Sequence, residues 1–437
     1  MVGFLNPDRK IYQFGRAQSP PRGVATGARA RRAVYPGDDE HVPQPGVGRT
    51  SSGRIGGGRA SGGRTSGGAA VTDELDLALV DALRVDPRAP WSRLAGPLGV
   101  DPATLSRRWS RLAAAGDAWV TCYPSTDRFG YGVTALVEVE CSANRVATVA
   151  AQLARDPQAA SIEVVTGGAD LLLTVGTTEQ SLLTRYVLDR IGALPGVLRT
   201  RTSLVERTVL EGSRWRDGAL DTGQREAIAA PPPAAVGPPI AAGAPAAGAH
   251  QLRADRSLLV ALGQDGRMPY AELAARTGLP PSTVRRRLAE LRESGRLVLR
   301  CDTSPMLSGH PVHLLLWLEL PADRLEPAAR WFATLPQTRM CAVTLGAANL
   351  VTYLMVRQLS DLRRLEVELH RQVGEVRVRE RQLTVRLVKL VGHLLDADGR
   401  ACGYVPLDPW ADWDAGQPGN PATRQPGNPA TRQPGGS

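Results

Sequence analysis

Leu75, Leu79 and Leu83 recur every four residues, the stripe of an amphipathic helix, and Asp86-Pro87 ends it. A short second helix is predicted from Trp91 to Leu98, with Leu94 and Leu98 turned inward and Gly99 supplying a tight turn. Asp101 is a natural N-cap with Pro102 in the first helical position, so a third helix should run to Ala115 and stop at Gly116. Helix, short helix, glycine turn, helix is the helix-turn-helix pattern. Beyond it the periods alternate: strand Val133–Glu140, helix Asn144–Arg155, strands Ser161–Thr166 and Leu171–Val175, helix Glu179–Gly192, strand Val197–Leu204. That order is βαββαβ, the ferredoxin-like arrangement.

The same pattern of residues recurs 179 positions later, without a gap. Asp86, Arg88, Gly99, Thr104, Arg107, Arg108, Gly116 and Cys122 return as Asp265, Arg267, Gly278, Thr283, Arg286, Arg287, Gly295 and Cys301. Farther on, Glu140, Gly167, Leu171, Arg185 and Leu204 return as Glu319, Gly346, Leu350, Arg364 and Leu383. The predicted class is therefore α+β: two winged-helix-type helix-turn-helix domains, each followed by a ferredoxin-like βαββαβ domain. Residues 71–122 and 251–301 hold the helix-turn-helix domains, 123–211 and 302–395 the βαββαβ domains.

Composition adds tails and a linker. Residues 1–70 are rich in Gly, Arg, Ser and Pro and cannot bury enough apolar surface to order, so a disordered tail is expected. Residues 212–250, with PPPAAVGPP and AAGAPAAGA, read as a Pro/Ala linker. Residues 396–437, with QPGNPATR at 417–424 and again at 425–432, read as a second disordered tail. The net charge of +10 is split unevenly: residues 1–70 carry +7, 71–211 carry −3 and 251–400 carry +7. Much of the basic balance sits in a tail, so charge alone argues weakly for nucleic acid. No apolar run suits a membrane span or an export signal. The five cysteines show neither a CxxC pair nor zinc spacing, which fits a reducing cytoplasm and no metal or other cofactor.

The third helix can be read by face. Leu105, Trp109 and Leu112 share the buried arc; Ala103, Arg107 and Ser110 point away, flanked by Thr104, Ser106 and Arg111. In the second copy Ser282, Arg286 and Ala289 face out beside Thr283 and Arg285. Slim polar residues with arginine suit the major groove of double-stranded DNA. Arg108 and Arg287 lie at the edge of the buried arc, where phosphate contact or helix packing fits better than base reading. The alternative for all these arginines is a solvated helix face, but the pair recurs at one helical address behind the same glycine turn.

In this order the residues resemble the Lrp/AsnC (feast/famine) family of bacterial regulators. The likeness rests on Leu75-Asp76, Asp86-Pro87-Arg88, Arg93-Leu94-Ala95, Gly99, Arg108, Leu112 and Gly116. It continues through Phe129-Gly130-Tyr131, the run from Val164 to Asp170, and Leu194-Pro195-Gly196-Val197 with Thr202. The resemblance implies a transcriptional regulator that assembles through its βαββαβ domains. It also implies a small effector, usually an amino acid, bound near a Gly-x-x-Asp loop. Gly167 and Gly168 would offer backbone N–H groups to a carboxylate, Asp170 would accept from an ammonium, and Thr202 lies in the same set. A plain hairpin turn with a capping Asp is the other reading. In the second copy Gly346 remains, but Asn349 replaces Asp170 and Arg381 replaces Thr202, so a weakened second pocket is expected. With both units on one chain, the βαββαβ domains are expected to form an internal pseudo-dimer, with room for further self-association. Two rivals share the layout: an enzyme like the sirohaem decarboxylases of haem biosynthesis, for which His310 and His313 would be the candidates, and an interaction module that no longer binds DNA.

Overall fold

The computed structural model describes residues 73–125, 132–216, 218–229 and 249–411, all within one compact unit. The expected N-terminal tail, Phe129-Gly130-Tyr131, the proline-rich stretch 230–248 and the C-terminal repeat lie outside them.

Helix α1 (Glu74–Val85) starts where Asp73 accepts from the Asp76 N–H, and it buries Leu79 and Leu83. After α2 (Trp91–Leu98), Gly99 takes the left-handed conformation at φ 67°. Helix α3 (Pro102–Ala114) opens on Asp101, whose carboxylate accepts from Ala103 N at 2.7 Å. Strand β1 (Ala118–Pro124) follows. Then come β2 (Val133–Cys141), α4 (Val146–Leu153), β3 (Ala159–Val165), β4 (Leu171–Thr177), α5 (Gln180–Arg185) and β5 (Val197–Leu210). The predicted helix 179–192 is α-helical only through Arg185 and continues as a π-helical turn, Tyr186–Ile191.

A helix α6 (Thr222–Ile228) precedes the second series of elements, α7 (Ala249–Gln264), α8 (Tyr270–Thr277), α9 (Pro281–Glu293) and β6 (Leu297–Thr303). After the single turn α10 (Pro305–Ser308) come β7 (Val312–Glu319), α11 (Ala322–Thr334), β8 (Thr338–Leu345), β9 (Leu350–Val356), α12 (Ser360–Val373) and β10 (Arg377–Leu390). Strands β11 (His393–Leu395) and β12 (Ala401–Tyr404) close the described chain. Equivalent elements begin 179 residues apart at Trp91 and Tyr270, Pro102 and Pro281, Ala118 and Leu297, Ala159 and Thr338, and Leu171 and Leu350.

The two βαββαβ units form one sheet. Strand β5 pairs antiparallel with β8, and β10 pairs with β3; because β10 also pairs with β7, eight strands close in the order β10-β3-β4-β2-β5-β8-β9-β7. Closure removes the edges that each four-stranded sheet would expose alone. Helices α4 and α5 cover one outer face over Val137, Ile162, Leu173 and Tyr186, and α11 and α12 cover the other over Leu316, Phe332, Leu354 and Leu369. Inside, Leu136 and Leu172 from the first half meet Leu315, Trp317, Val351 and Met355 from the second.

The helix-turn-helix units meet in the same reciprocal way. Strands β1 and β6 form an antiparallel ribbon centred on Thr121 opposite Arg300, themselves equivalent positions. The ribbon is shared: Ala118, Val120 and Cys301 pack in the α1–α3 core, Cys122, Leu297 and Leu299 in or against the α7–α9 core. Arg88 donates to the carbonyls of Gly266 and Met268 at 2.6 and 3.0 Å; its equivalent Arg267 donates to Pro87 and Ala89 at 2.7 and 2.9 Å. Each guanidinium also lies over the other unit's aromatic ring, Arg267 on Trp91 at 3.9 Å and Arg88 on Tyr270 at 5.2 Å.

Two boundary expectations are corrected. Residues 212–229 are not linker: Leu220 and Ile228 enter the α1–α3 core, Leu220 N–H donates to Asp81, and Gln224 reaches the Pro97 carbonyl. Residues 396–411 are not tail: Ala401 N–H donates to the Gly116 carbonyl, Arg400 pairs with Asp117, and Arg256 pairs with Asp408. A Cβ on Gly116 would lie 2.3 Å from the Ala401 carbonyl oxygen, which is why that turn is glycine. Both segments follow the last strand of a βαββαβ unit and strap the helices to the barrel.

Lys389 is fully buried, and its Nζ donates to the Asp156 carbonyl at 2.8 Å. Burial lowers its pKa from 10.5 to about 7. The unfolded chain therefore holds a proton there that the folded chain lacks, and stability rises with pH between those two values. Lys389→Met should be more stable than the parent at pH 7, and the gap should shrink by roughly 4 kcal/mol as pH approaches 10.5. Urea melts at several pH values measure it; a pH-independent gap would mean that Lys389 is charged in the fold.

Candidate functional site

Helices α3 and α9 each turn one face to solvent. Ala103, Arg107, Ser110 and Arg111 are exposed, with Thr104 and Ser106 half-buried; Ser282, Arg285 and Arg286 are exposed and Thr283 half-buried. Ser110 Oγ folds back onto the Ser106 carbonyl, so the surface between the arginines stays low.

Within each Arg-Arg pair the two side chains part. The Arg286 side chain is 64% exposed and pairs, among the described residues, with Glu290 one turn along its own helix at 2.7 Å. The Arg287 side chain is 7% exposed; it bonds Asp255 on α7 and Glu290, which pins α9 to the first helix of its unit. Arg108 does the equivalent job, donating to Asp73 at 2.7 Å and Asp76 at 3.0 Å. Asp76 is itself buried and also binds Arg111. Of the two roles open to Arg108 and Arg287, the geometry gives packing to Arg287 and mainly packing to Arg108. Arg285 lies over the Tyr270 ring at 5.3 Å, at the start of α8.

The glycine loop between β3 and β4 carries its own carboxylate. Gly168 N–H donates to Glu380 Oε1 at 2.6 Å, and a Cβ on Gly167 (φ 103°) would lie 2.5 Å from that oxygen. Arg201 stands beside Glu380 at 3.6 Å and donates to the buried Glu138 at 3.1 Å. Burial pushes the Glu138 carboxyl up from its ordinary value. Asp170 accepts from the Cys141 N–H at 2.7 Å, the capping role. Asn349 does the same work in the second half: its Oδ1 accepts from Leu320 N–H at 3.0 Å and its Nδ2 donates to the Leu320 carbonyl at 2.8 Å. Carboxylate and amide are thus interchangeable in this cap, and the change from Asp to Asn is accounted for without a ligand. Gly346 is close-packed, with Ser203 Oγ 2.9 Å from where a Cβ would be. Thr202 is exposed on β5; Arg201 is the β5 residue beside the loop.

Sequence reasoning missed Glu380 and Arg201. They are register equivalents, 179 apart, with opposite charge, and that inversion was the available signal. His310 and His313 do not form a joint site: His310 packs edge-on against Trp215, and His313 is buried beside Tyr353 with its pKa lowered by burial to about 4.

Comparison with known proteins agrees with this layout. An AsnC-type helix-turn-helix domain matches residues 73–113 and again 253–292, and an Lrp/AsnC ligand binding domain matches residues 134–215. The HTH-type transcriptional regulator FL11 of Pyrococcus horikoshii is 28% identical over 137 residues, 31% of this chain and 90% of the relative. The HTH-type transcriptional regulator AldR of Mycolicibacterium smegmatis is 28% identical over 139 residues, 30% of this chain and 80% of the relative. Among solved structures, the siroheme decarboxylase NirDL aligns over 73% of this chain and 93% of its own, at 14% identity and a TM-score of 0.46. An AsnC-type DNA-binding domain thus matches at two places with an Lrp/AsnC ligand binding domain between them, and the curated relatives it resembles are named HTH-type transcriptional regulators.

Proposed function

We propose that the chain is a sequence-specific DNA-binding regulator, working in the cytoplasm, in which a tandem duplication supplies both halves of the usual pair. Each half is a winged-helix-type helix-turn-helix domain, with β1 or β6 as its strand, followed by a ferredoxin-like domain. One observation carries the reading: Arg107 and Arg286 stand free of the core at the same address of α3 and α9, while the next arginine in each copy turns inward. The outward pair, with Ala103, Thr104, Ser106, Ser110 and Arg111 in one copy and Ser282, Thr283 and Arg285 in the other, makes the groove contacts. The Arg88/Arg267 clasp and the shared ribbon hold the two reading helices at one spacing. Ser106 against Arg285 and Arg111 against Glu290 make the bound site an imperfect palindrome.

The ligand-binding domain supports a small-molecule effector. An amino acid entering at Gly167, Gly168 and Asp170 would have to take the Gly168 N–H from Glu380.

Arg107→Ala and Arg286→Ala should each weaken binding to the selected site about tenfold or more at fixed salt, with no change in melting temperature. Arg287→Ala should instead lower stability by about 3 kcal/mol, because Asp255 would remain buried beside a lost partner. Fluorescence anisotropy and denaturant melts separate the two; equal effects at 286 and 287 would defeat the assignment.

The clasp gives a second test. Arg88→Ala and Arg267→Ala should each loosen the helix spacing, and the double variant should bind DNA little worse than either single one. Additive losses would show that the two arginines act separately.

A further inference from the structure

One turn beyond Arg286, on the same face of α9, a carboxylate stands where the first copy has a cation: Glu290 is the equivalent of Arg111. Its Oε1 accepts from Arg286 Nη1 at 2.7 Å, and its Oε2 accepts from Arg287 Nη1 at 2.6 Å. Arg287 is itself buried and bound to Asp255, so this carboxylate is tied to the core of its unit. Its slight burial acts the other way, but Arg286 and Arg287 hold the Glu290 carboxyl below its ordinary value, and it is charged at neutral pH.

The first copy has no such brace. Arg111 turns to Asp76, and among the described residues the Arg107 side chain has no ion-pair partner. A free arginine loses rotamer freedom when it binds; Arg286 has met part of that cost beforehand. Its engaged donor is Nη1, which leaves the Nε–Nη2 edge for a bidentate contact. In the major groove that fork matches O6 and N7 of guanine. The carboxylate beside it repels phosphate and the O4 acceptor of thymine, and accepts from the N4 amino group of cytosine. A braced fork next to a fixed acceptor is the complement of a G·C pair.

We propose that Glu290 is a specificity-determining residue, bracing Arg286 to read the guanine of a G·C pair, so that α9 is the strict reader of the two and α3 the permissive one. This rests on the regulator reading above and adds to it which half of the bound site tolerates change. At α3 the exposed Arg107 and Arg111 add affinity through backbone charge; at α9 the Arg286–Glu290 pair gives up some of that affinity for base discrimination.

Selection from random duplex DNA with the full chain, then anisotropy at fixed salt on the selected duplex and its single base-pair variants, tests this. One G·C pair should stand out, its replacement by A·T weakening binding at least about tenfold. Glu290→Gln keeps an acceptor for Arg287 but removes the charge; it should cut discrimination at that pair at least about fivefold and tighten binding to unrelated duplex. Arg286→Lys, which cannot fork, should cut discrimination at the same pair as much, and the double variant no more. A Glu290 that only supports Arg287 would, once replaced, lower the melting temperature and leave base preference intact. A carboxylate that only masks Arg286 would, once replaced, tighten binding to every duplex equally. Either result, or additive losses in the double variant, overturns the proposal while the regulator reading stands. A parent chain that selects no sequence overturns both.

Discussion

Each half of this chain leaves two strand edges that need partners, and each half provides what the other lacks. Strand β5 completes β8 and β10 completes β3, so that eight strands close around Leu136, Leu315, Trp317 and Val351. A four-stranded sheet with helices on one face only would leave its other face and both edges to water. Closure settles both. The ribbon of β1 and β6 repeats the logic at the helix-turn-helix level, with Arg88 and Arg267 exchanging identical bonds across it. The positions of α3, α9 and the glycine loops all follow from that pairing.

Fusion of the halves also releases them from symmetry. Glu380 can occupy the Gly168 N–H because its equivalent is Arg201, and Glu290 can brace Arg286 in one copy while its equivalent is Arg111 in the other. The paired frame is kept where it bears load, at Arg108 and Arg287, at Asp76 and Asp255, and at Arg88 and Arg267. It is abandoned at the glycine loop, where Glu380 takes the Gly168 N–H and its equivalent is Arg201.

Much of this was legible in the sequence. The fixed offset of 179 gave the two units, and the leucine stripe, Asp101-Pro102 and Gly99 gave the three helices, because local capping and burial settle them. The face of α3 was legible for Arg107, and the edge position of Arg108 correctly left packing open, although only the fold supplies Asp73 and Asp76 as its partners. The straps were not. Residues 212–229 offer few apolar anchors, chiefly Trp215, Leu220 and Ile228, with no period, and their order comes from distant partners such as Asp81 and Pro97. Residues 396–411 are held likewise by Gly116, Asp117 and Arg256.

The central claim is that one chain is a complete paired reader. The mass of the complex between the full chain and a duplex carrying its selected site, at limiting protein and with a footprint of the same sample, tests that most directly. One chain on the duplex, protecting two separated contacts, is the result this account requires. Two chains at the lowest occupancy, each protecting a single contact, would contradict it.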